Sequence, residues 1–456
     1  MSNHIEYIKG RLDEVSPTHC LVKWKHASVY LAAGTVKSCC HNFYSNKKST
    51  INDSNLAFHD TEKDQKIREE LLQGQKPKEC DFCWNNEKTG SYSDRLFWSS
   101  LSFMRDFVDE VAEHQSPKAL SPSWLEINFS PKCQLRCAYC GPEVSSAWKK
   151  EVDEFGPYKT DPYNGAIDYL IRENRNPYEE SGRDEFREAF WSWFAEIYLG
   201  IRQITITGGE PLLSEDFDKL LEWIDANPHP ELQLSINTNL SLPAPVWDKY
   251  VQKFKRLRSE GKFRNLFVHP SLDTWGEQAE YIRYGLKLPL LKKNVESYLK
   301  ENIGDLVFSC TLNCMSLPKL IDFWQYVYQL KKEFPHQYIS STSEPLLFPD
   351  FMRVSVLPPS FIKYVDEILE FLESQGEVFS DHEKNGLRRV RTLMEQGENP
   401  EFHVKQKKNF YTYFKEYDRR KKTNFLLTFP EMHEFWKECQ ALCEPSKSPL
   451  YLNPPT

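Results

Sequence analysis

Residues 125–140 read LEINFSPKCQLRCAYC, and this stretch decides how the rest of the chain is read. Alternate residues of a β-strand face opposite sides. Leu125, Ile127 and Phe129 therefore share one face, and Glu126, Asn128 and Ser130 share the other. The strand runs into three cysteines, Cys133, Cys137 and Cys140. Thiolates are soft ligands that suit iron–sulfur clusters or zinc. Structural zinc takes four closed ligands, and no fourth Cys or His is near in sequence. Three cysteines on a cubic cluster leave one iron open to bind a substrate or cosubstrate directly.

Working outward, short strands alternate with helices, the pattern of a parallel sheet. Strands are predicted at Gln203–Thr207, Leu232–Thr238, Leu266–Leu272, Asp305–Asn313 and Met352–Val356. A helix is predicted over Asp184–Leu199, with Phe186, Phe190, Trp193 and Ile197 at helical spacing and Gly200 ending it. Ser214 is the expected N-cap of the next helix. One face stays polar on strand after strand: Thr205 and Thr207; Ser235, Asn237 and Asn239; His269, Ser271 and Asp273; Ser309, Thr311 and Asn313; then Arg353 and Ser355. A parallel sheet covered on both faces reads as solidly apolar. A polar inner face implies a curved sheet or open barrel around a wet or ligand-filled cavity. In such barrels the chemistry sits at the C-terminal ends of the strands, where the cysteine run, Gly208-Gly209-Glu210 and Asn239 fall.

The cysteine run, with aromatic Tyr139 before its last Cys, resembles the motif of the radical S-adenosylmethionine (SAM) superfamily. The resemblance implies a 4Fe–4S cluster on Cys133, Cys137 and Cys140, whose open iron binds the amino and carboxylate groups of SAM. It implies reductive cleavage of the sulfonium and hydrogen abstraction by a 5′-deoxyadenosyl radical. Further segments match in family order over roughly residues 124–320. Gly208-Gly209-Glu210 resembles the motif that contacts the methionine amino group. Thr238-Asn239 resembles the segment near the ribose. Ser271, Asp273 and Arg283 resemble the fifth strand and following helix, where Ser and Arg hold the carboxylate. An Arg fork suits that geometry.

Five further cysteines precede the barrel: Cys20, Cys39, Cys40, Cys80 and Cys83. A strand at His26–Tyr30, a turn at Ala33-Gly34-Thr35 and a returning strand at Val36–Cys40 form a hairpin that carries Cys39 back toward Cys20. A helix is expected at Glu62–Leu72, and mostly helix over Ser91–Glu113. The spacing of Cys20, Gly34 and Cys39, with Arg68-x-x-Leu71-x-x-Gly74 and Cys80-x-x-Cys83-Trp84-x-x-Glu87-x-x-Gly90-x-x-Ser93-x-Arg95, is similar to the auxiliary-cluster domains called SPASM and twitch. That resemblance implies a second 4Fe–4S cluster on Cys20, Cys39, Cys80 and Cys83. Such a domain usually follows the barrel and here precedes it. Lys23 stands before Trp24, where relatives often have Pro. Structural zinc is the alternative occupant, because four Cys with one CxxC suit it as well. Cys40 is ambiguous, since it points opposite to Cys39 on an extended segment.

The remaining features set bounds. The chain has 456 residues, 40% of them hydrophobic, and a formal net charge of −8. This is a globular composition of two to four domains at roughly 100–200 residues each. It does not coat phosphate backbones nonspecifically, so nucleic acid is not the expected partner. The first residues lack a signal-peptide core, and no run of about 18 apolar residues exists. A cytoplasmic protein is expected. Cys310 and Cys314, like Cys439 and Cys443, read as core. His26 and His41 are candidates to stand behind the auxiliary cysteines, and His269 faces the expected cavity. The basic, aromatic stretch Lys405–Lys422 reads as a solvated amphipathic helix. Arg353 is a candidate for a substrate carboxylate or phosphate.

The expected fold is α/β: an auxiliary iron–sulfur domain at 1–118, a partial (β/α) barrel at 119–375 and a helical extension at 376–456. The expected activity is that of a radical SAM enzyme, with a reductant such as flavodoxin or ferredoxin. The substrate is expected to be peptidyl or amino-acid-like, the alternative being dehydrogenation or related chemistry on a small metabolite. A zinc-binding adaptor without catalysis is the competing reading of another class.

Overall fold

The computed structural model describes residues 2–39, 60–88, 92–160, 170–171, 176 and 183–444. Cys40, His41 and Gly90 lie outside the described residues. Eight strands follow one another in the order β2-β1-β3-β4-β5-β6-β7-β8. They are β1 (His26–Tyr30), β2 (Thr35–Lys37), β3 (Trp124–Asn128), β4 (Gln203–Thr207), β5 (His229–Thr238), β6 (Phe263–Pro270), β7 (Asp305–Leu312) and β8 (Ile339–Pro345). The β1–β2 hairpin is antiparallel, while β1–β3, β3–β4, β4–β5 and β7–β8 are parallel. The strands make a mostly parallel α/β sheet, consistent with the partial barrel. The chain forms two compact units, each drawn from several segments. One comprises Met1–Cys133, Leu170–Thr238 and Asp248–Val268; the other comprises Gln134–Tyr169, Asn239–Trp247 and His269–Thr456.

In the first unit, register turns the alternation of each strand into continuous rows. Ser28 pairs with Glu126, Glu126 with Thr205, and Thr205 with Ser235. The next polar row is Tyr30, Asn128 and Thr207. Between them Leu125, Ile127, Ile204, Ile206, Leu234 and Ile236 are buried, while Glu126, Asn128, Thr205 and Thr207 stay partly accessible. The apolar side chains drive the sheet onto its helices by leaving water. The helix Glu215–Ala226 buries Phe217, Leu220, Leu221 and Ile224 completely. Ser214 stands at its N-cap, without a side-chain cap hydrogen bond. The helix Arg183–Ile197 buries Phe186, Phe190 and Phe194. A separate core of Ile8, Leu12, Leu21, Trp24, Leu71, Met104 and Val111 supports the N-terminal segment. The helix Glu62–Leu72 starts where Thr61 accepts a hydrogen bond from the Asp64 amide.

In the second unit, β7 alternates buried Leu306, Phe308, Cys310 and Leu312 with partly accessible Val307, Ser309 and Thr311. Two expectations are corrected here. Met352–Val356 is not a strand; it is covered by the 3-10 turns Asp350–Met352 and Val354–Val356. The segment lies between Pro349 and Pro358, which have no N–H to give a ladder. Arg353 therefore lies on no polar strand face. Its Nη2 meets Asp350 Oδ1 at 2.6 Å and its Nε donates to the Leu347 carbonyl at 2.8 Å. Ser355 donates to Glu398 at 3.0 Å. The last strand is instead β8, whose Ser-rich sequence lacks the apolar alternation that marks a strand.

The C-terminal part of this unit is helical, with Ile362–Ser374, Asp381–Gln396, Pro400–Lys421 and His433–Cys443. Pro400–Lys421 buries Phe410, Tyr411, Tyr413, Phe414 and Tyr417. Its basic end is only partly solvated, because Arg420 is 3% and Lys421 0% exposed at the side chain. Among the described residues, no helix is long and apolar enough to cross a membrane.

Candidate functional site

The first unit holds the Gly208-Gly209-Glu210 turn against the segment that enters the cysteine run. The Gly209 amide donates to the Ser130 carbonyl at 3.0 Å, and the Glu210 amide to the Lys132 carbonyl at 2.7 Å. Gly208 has φ 115°, and a Cβ there would stand 2.8 Å from Asn128 Oδ1. Both glycines are thus required by backbone conformation and close approach. Glu210 is buried, and its Oε1 accepts from Thr238 Oγ1 at 2.8 Å and from the Leu212 amide at 3.2 Å. Two of the sequence-derived residues, Glu210 and Thr238, are thereby joined.

The second unit builds the other part of the cysteine run. The Arg136 amide donates to the Tyr284 carbonyl at 2.9 Å and the Ala138 amide to Ile282 at 2.7 Å. Ser145 Oγ donates to the Leu135 carbonyl, Trp148 Nε1 to Cys137 and Tyr413 Oη to Ala138, at 2.7, 2.9 and 2.7 Å. The loop is therefore held in shape by its own unit. Cys137 is buried, yet its thiol is held below its ordinary pKa by a hydrogen bond with Cys140, aided by the Arg283 guanidinium. A buried thiol poised toward thiolate suits a metal ligand.

Asp273 gathers Arg283, Thr311 and Tyr139: its Oδ1 accepts from Arg283 Nη2 at 2.7 Å and from the Thr311 amide at 3.0 Å, and its Oδ2 from Tyr139 Oη at 2.7 Å. Asn239 forms a reciprocal amide pair with Gln134, at 3.0 and 3.3 Å. Ser271 sits in an isolated parallel bridge with Ser309. Desolvation lowers the His269 imidazole to about 4, so it is neutral at pH 7.

Cys20, Cys39, Cys80 and Cys83 line one cavity in the first unit, with Lys23, Trp84, Arg95 and Trp98. Burial and the neighbouring Cys39 push Cys20 up to about 11, and burial pushes Cys80 up to about 12. Cys83 is raised as well, chiefly by burial. Burial opposes the charge on Lys23, but Cys39, Cys80 and Asp64 hold its pKa above the ordinary value. Three thiols that resist ionising alone, with Cys39 in the same cavity, fit a metal centre, which would displace their protons and neutralise the charge. Among the described residues, no three His, Cys, Asp or Glu side chains form a single-ion site.

The neighbouring motif residues frame this cavity. Arg95 makes a bidentate pair with Glu87, at 3.0 and 3.1 Å, and donates to the His19 carbonyl at 2.5 Å. Arg68 joins the Lys23 carbonyl, Asp60 and the Pro117 carbonyl, at 2.9, 2.5 and 2.7 Å.

Sequence reasoning missed Trp148, Tyr413 and Lys421. Lys421 Nζ pairs with Glu151 at 2.7 and 2.8 Å, and Arg136 reaches the same carboxylate at 2.9 Å. These partners are distant in sequence, and no short motif carries them. Glu126 was legible only as a polar-face residue; burial raises its carboxyl despite Thr207 at 3.2 Å.

The protein thus has a mostly parallel α/β sheet with polar rows in its first unit and a thiolate-favouring cysteine loop in its second. Residues 127–322, less than half of the chain, match the Radical SAM superfamily. It is 28% identical over 209 residues to a probable GTP 3′,8-cyclase of Methanococcus maripaludis, covering 44% of this chain and 54% of that one. It is 32% identical over 119 residues to the GTP 3′,8-cyclase of Sulfurimonas denitrificans, covering 26% and 28%. The chain thus spans about half or less of these relatives' length. The solved Streptococcus suis SuiB shares 14% identity, with a TM-score of 0.36 and coverage of 65% of this chain and 59% of that one. The superfamily match favours an enzyme over a zinc adaptor without catalysis.

Proposed function

We propose that the chain reductively cleaves SAM on a 4Fe–4S cluster held by Cys133, Cys137 and Cys140. The resulting radical abstracts hydrogen from a peptidyl or amino-acid-like substrate. The observation that supports the cluster assignment is the spacing of the three cysteines in a loop whose Cys137 and Ala138 carbonyls are held by Trp148 and Tyr413. When bound, the cluster supplies the electron and an open iron for SAM. Gly208, Gly209, Glu210, Thr238, Asn239, Ser271, Asp273 and Arg283 are proposed to shape the SAM site, with Tyr139 beside it. Cys20, Cys39, Cys80 and Cys83 are proposed to hold a second, fully ligated 4Fe–4S cluster that passes electrons or supports structure. In this reading residues 1–118, 119–375 and 376–456 act as auxiliary domain, barrel and helical extension, served by a flavodoxin or ferredoxin.

A second reading, radical chemistry on a purine nucleotide, is favoured by the likeness to GTP 3′,8-cyclases. Product analysis with GTP against a peptide library separates the two.

The first test is anaerobic iron and sulfide analysis with a 5′-deoxyadenosine assay. Wild type should hold about eight irons, and Cys133→Ala/Cys137→Ala/Cys140→Ala about four, with loss of 5′-deoxyadenosine. Zinc in place of iron, with no SAM cleavage under reducing conditions, refutes the proposal.

A further inference from the structure

We infer that Asp273 and Arg283 form a buried charge pair that tunes the reduction potential of the cluster at Cys137. This inference rests on the proposed cluster. All the residues concerned lie in the second unit. The Asp273 side chain is 0% and that of Arg283 9% exposed. Asp273 Oδ1 takes Arg283 Nη2 and the Thr311 amide, and Oδ2 takes Tyr139 Oη. The other terminal nitrogen, Arg283 Nη1, stands 3.9 Å from Cys137 Sγ, and the guanidinium lies 5.5 Å over the Tyr139 ring. Arg283 Nε is the guanidinium nitrogen left without a hydrogen-bond partner. Nη2 is thus held by Asp273 while Nη1 faces the thiol sulfur.

The arrangement has an electrostatic consequence. Arg is always charged, and a guanidinium beside a cluster thiolate stabilises the added electron. Asp273 opposes it from the next position while fixing its orientation. Water does not screen either charge at this depth. Net charge and hydrogen bonds to sulfur are among the factors that set iron–sulfur potentials. The same carboxylate orients Tyr139, so one buried residue ties the aromatic of the cysteine motif to the charge beside its thiolate. Asp273 and Arg283 are positioning residues in this account.

The test is an EPR-monitored redox titration of the anaerobically reconstituted full chain. It follows the signal that disappears in Cys133→Ala/Cys137→Ala/Cys140→Ala. Arg283→Gln should shift the midpoint to lower potential, and Asp273→Asn to higher potential. Arg283→Lys keeps the charge, covers the case in which Gln does not fold, and should lie near wild type. Shifts in one common direction, reversed shifts or unmoved potentials overturn the inference. If wild type shows no signal that depends on the three cysteines, the proposed function itself fails, which is a distinct result.

Discussion

A Cβ at Gly209 would lie 2.5 Å from the Lys132 carbonyl oxygen and 2.8 Å from the Pro131 carbonyl carbon. Both are backbone atoms, so neither can swing aside as a long side chain would. Gly209→Ala should therefore push apart the turn and the segment leading to Cys133, costing on the order of 1–3 kcal/mol. It should also weaken SAM binding, as read by equilibrium dialysis. Gly200→Ala is the control: its Cβ would meet Ser121 Oγ at 3.5 Å, an ordinary contact, and melting should change little. An equal loss in both variants would contradict this account. Such residues were legible because short spacing encodes them: three thiols in one loop, two glycines and an acid in one turn. Arg353 was misread for the opposite reason. A basic residue between apolar ones suggests a strand face, but the prolines around it remove the ladder and Asp350 takes the charge.

At the scale of elements, the helix Pro400–Lys421 does more than cover the core. Tyr413 donates to Ala138, Tyr417 donates to the Tyr281 carbonyl at 2.6 Å, and Lys421 pairs with the wholly buried Glu151. One face of this helix thus holds both the cysteine loop and the segment that pairs with it. Tyr413→Phe keeps the ring and removes one hydrogen bond to a buried carbonyl, at a cost of about 1–3 kcal/mol. The expected outcome is faster iron loss under a chelator, with helix content by circular dichroism unchanged. Iron retention equal to wild type would show that the contact does not hold the loop. None of this was readable from the helix sequence. Its aromatic and basic spacing predicts an amphipathic helix, which it is, but the partners lie up to 275 residues away. Strand β8 was missed for a local reason, since Ser340, Ser341 and Ser343 are buried by tertiary packing that overrides their weak strand signal.

For the whole molecule, the sequence places two cysteine sets far apart in the chain, and their chemical states differ. Cys137 is biased toward thiolate, whereas Cys20, Cys80 and Cys83 are held protonated by burial. The N-terminal cysteines surround the Lys23 ammonium, whose pKa is held up by Cys39, Cys80 and Asp64, so the proposed cluster would supply the anionic neighbours this charge needs. Cys80→Ala/Cys83→Ala removes half of that ligand set and leaves the barrel cysteines intact. Iron should fall from about eight to about four per chain, and the melting temperature should fall with it. Chemically reduced SAM cleavage should persist, because the electron then reaches the barrel cluster directly. If the N-terminal cluster relays electrons, 5′-deoxyadenosine formation driven by reduced flavodoxin should drop while the dithionite-driven rate holds. If the cluster is only structural, the two rates should fall together with the folded fraction. A variant that keeps all its iron and both rates would remove the auxiliary cluster from the proposal.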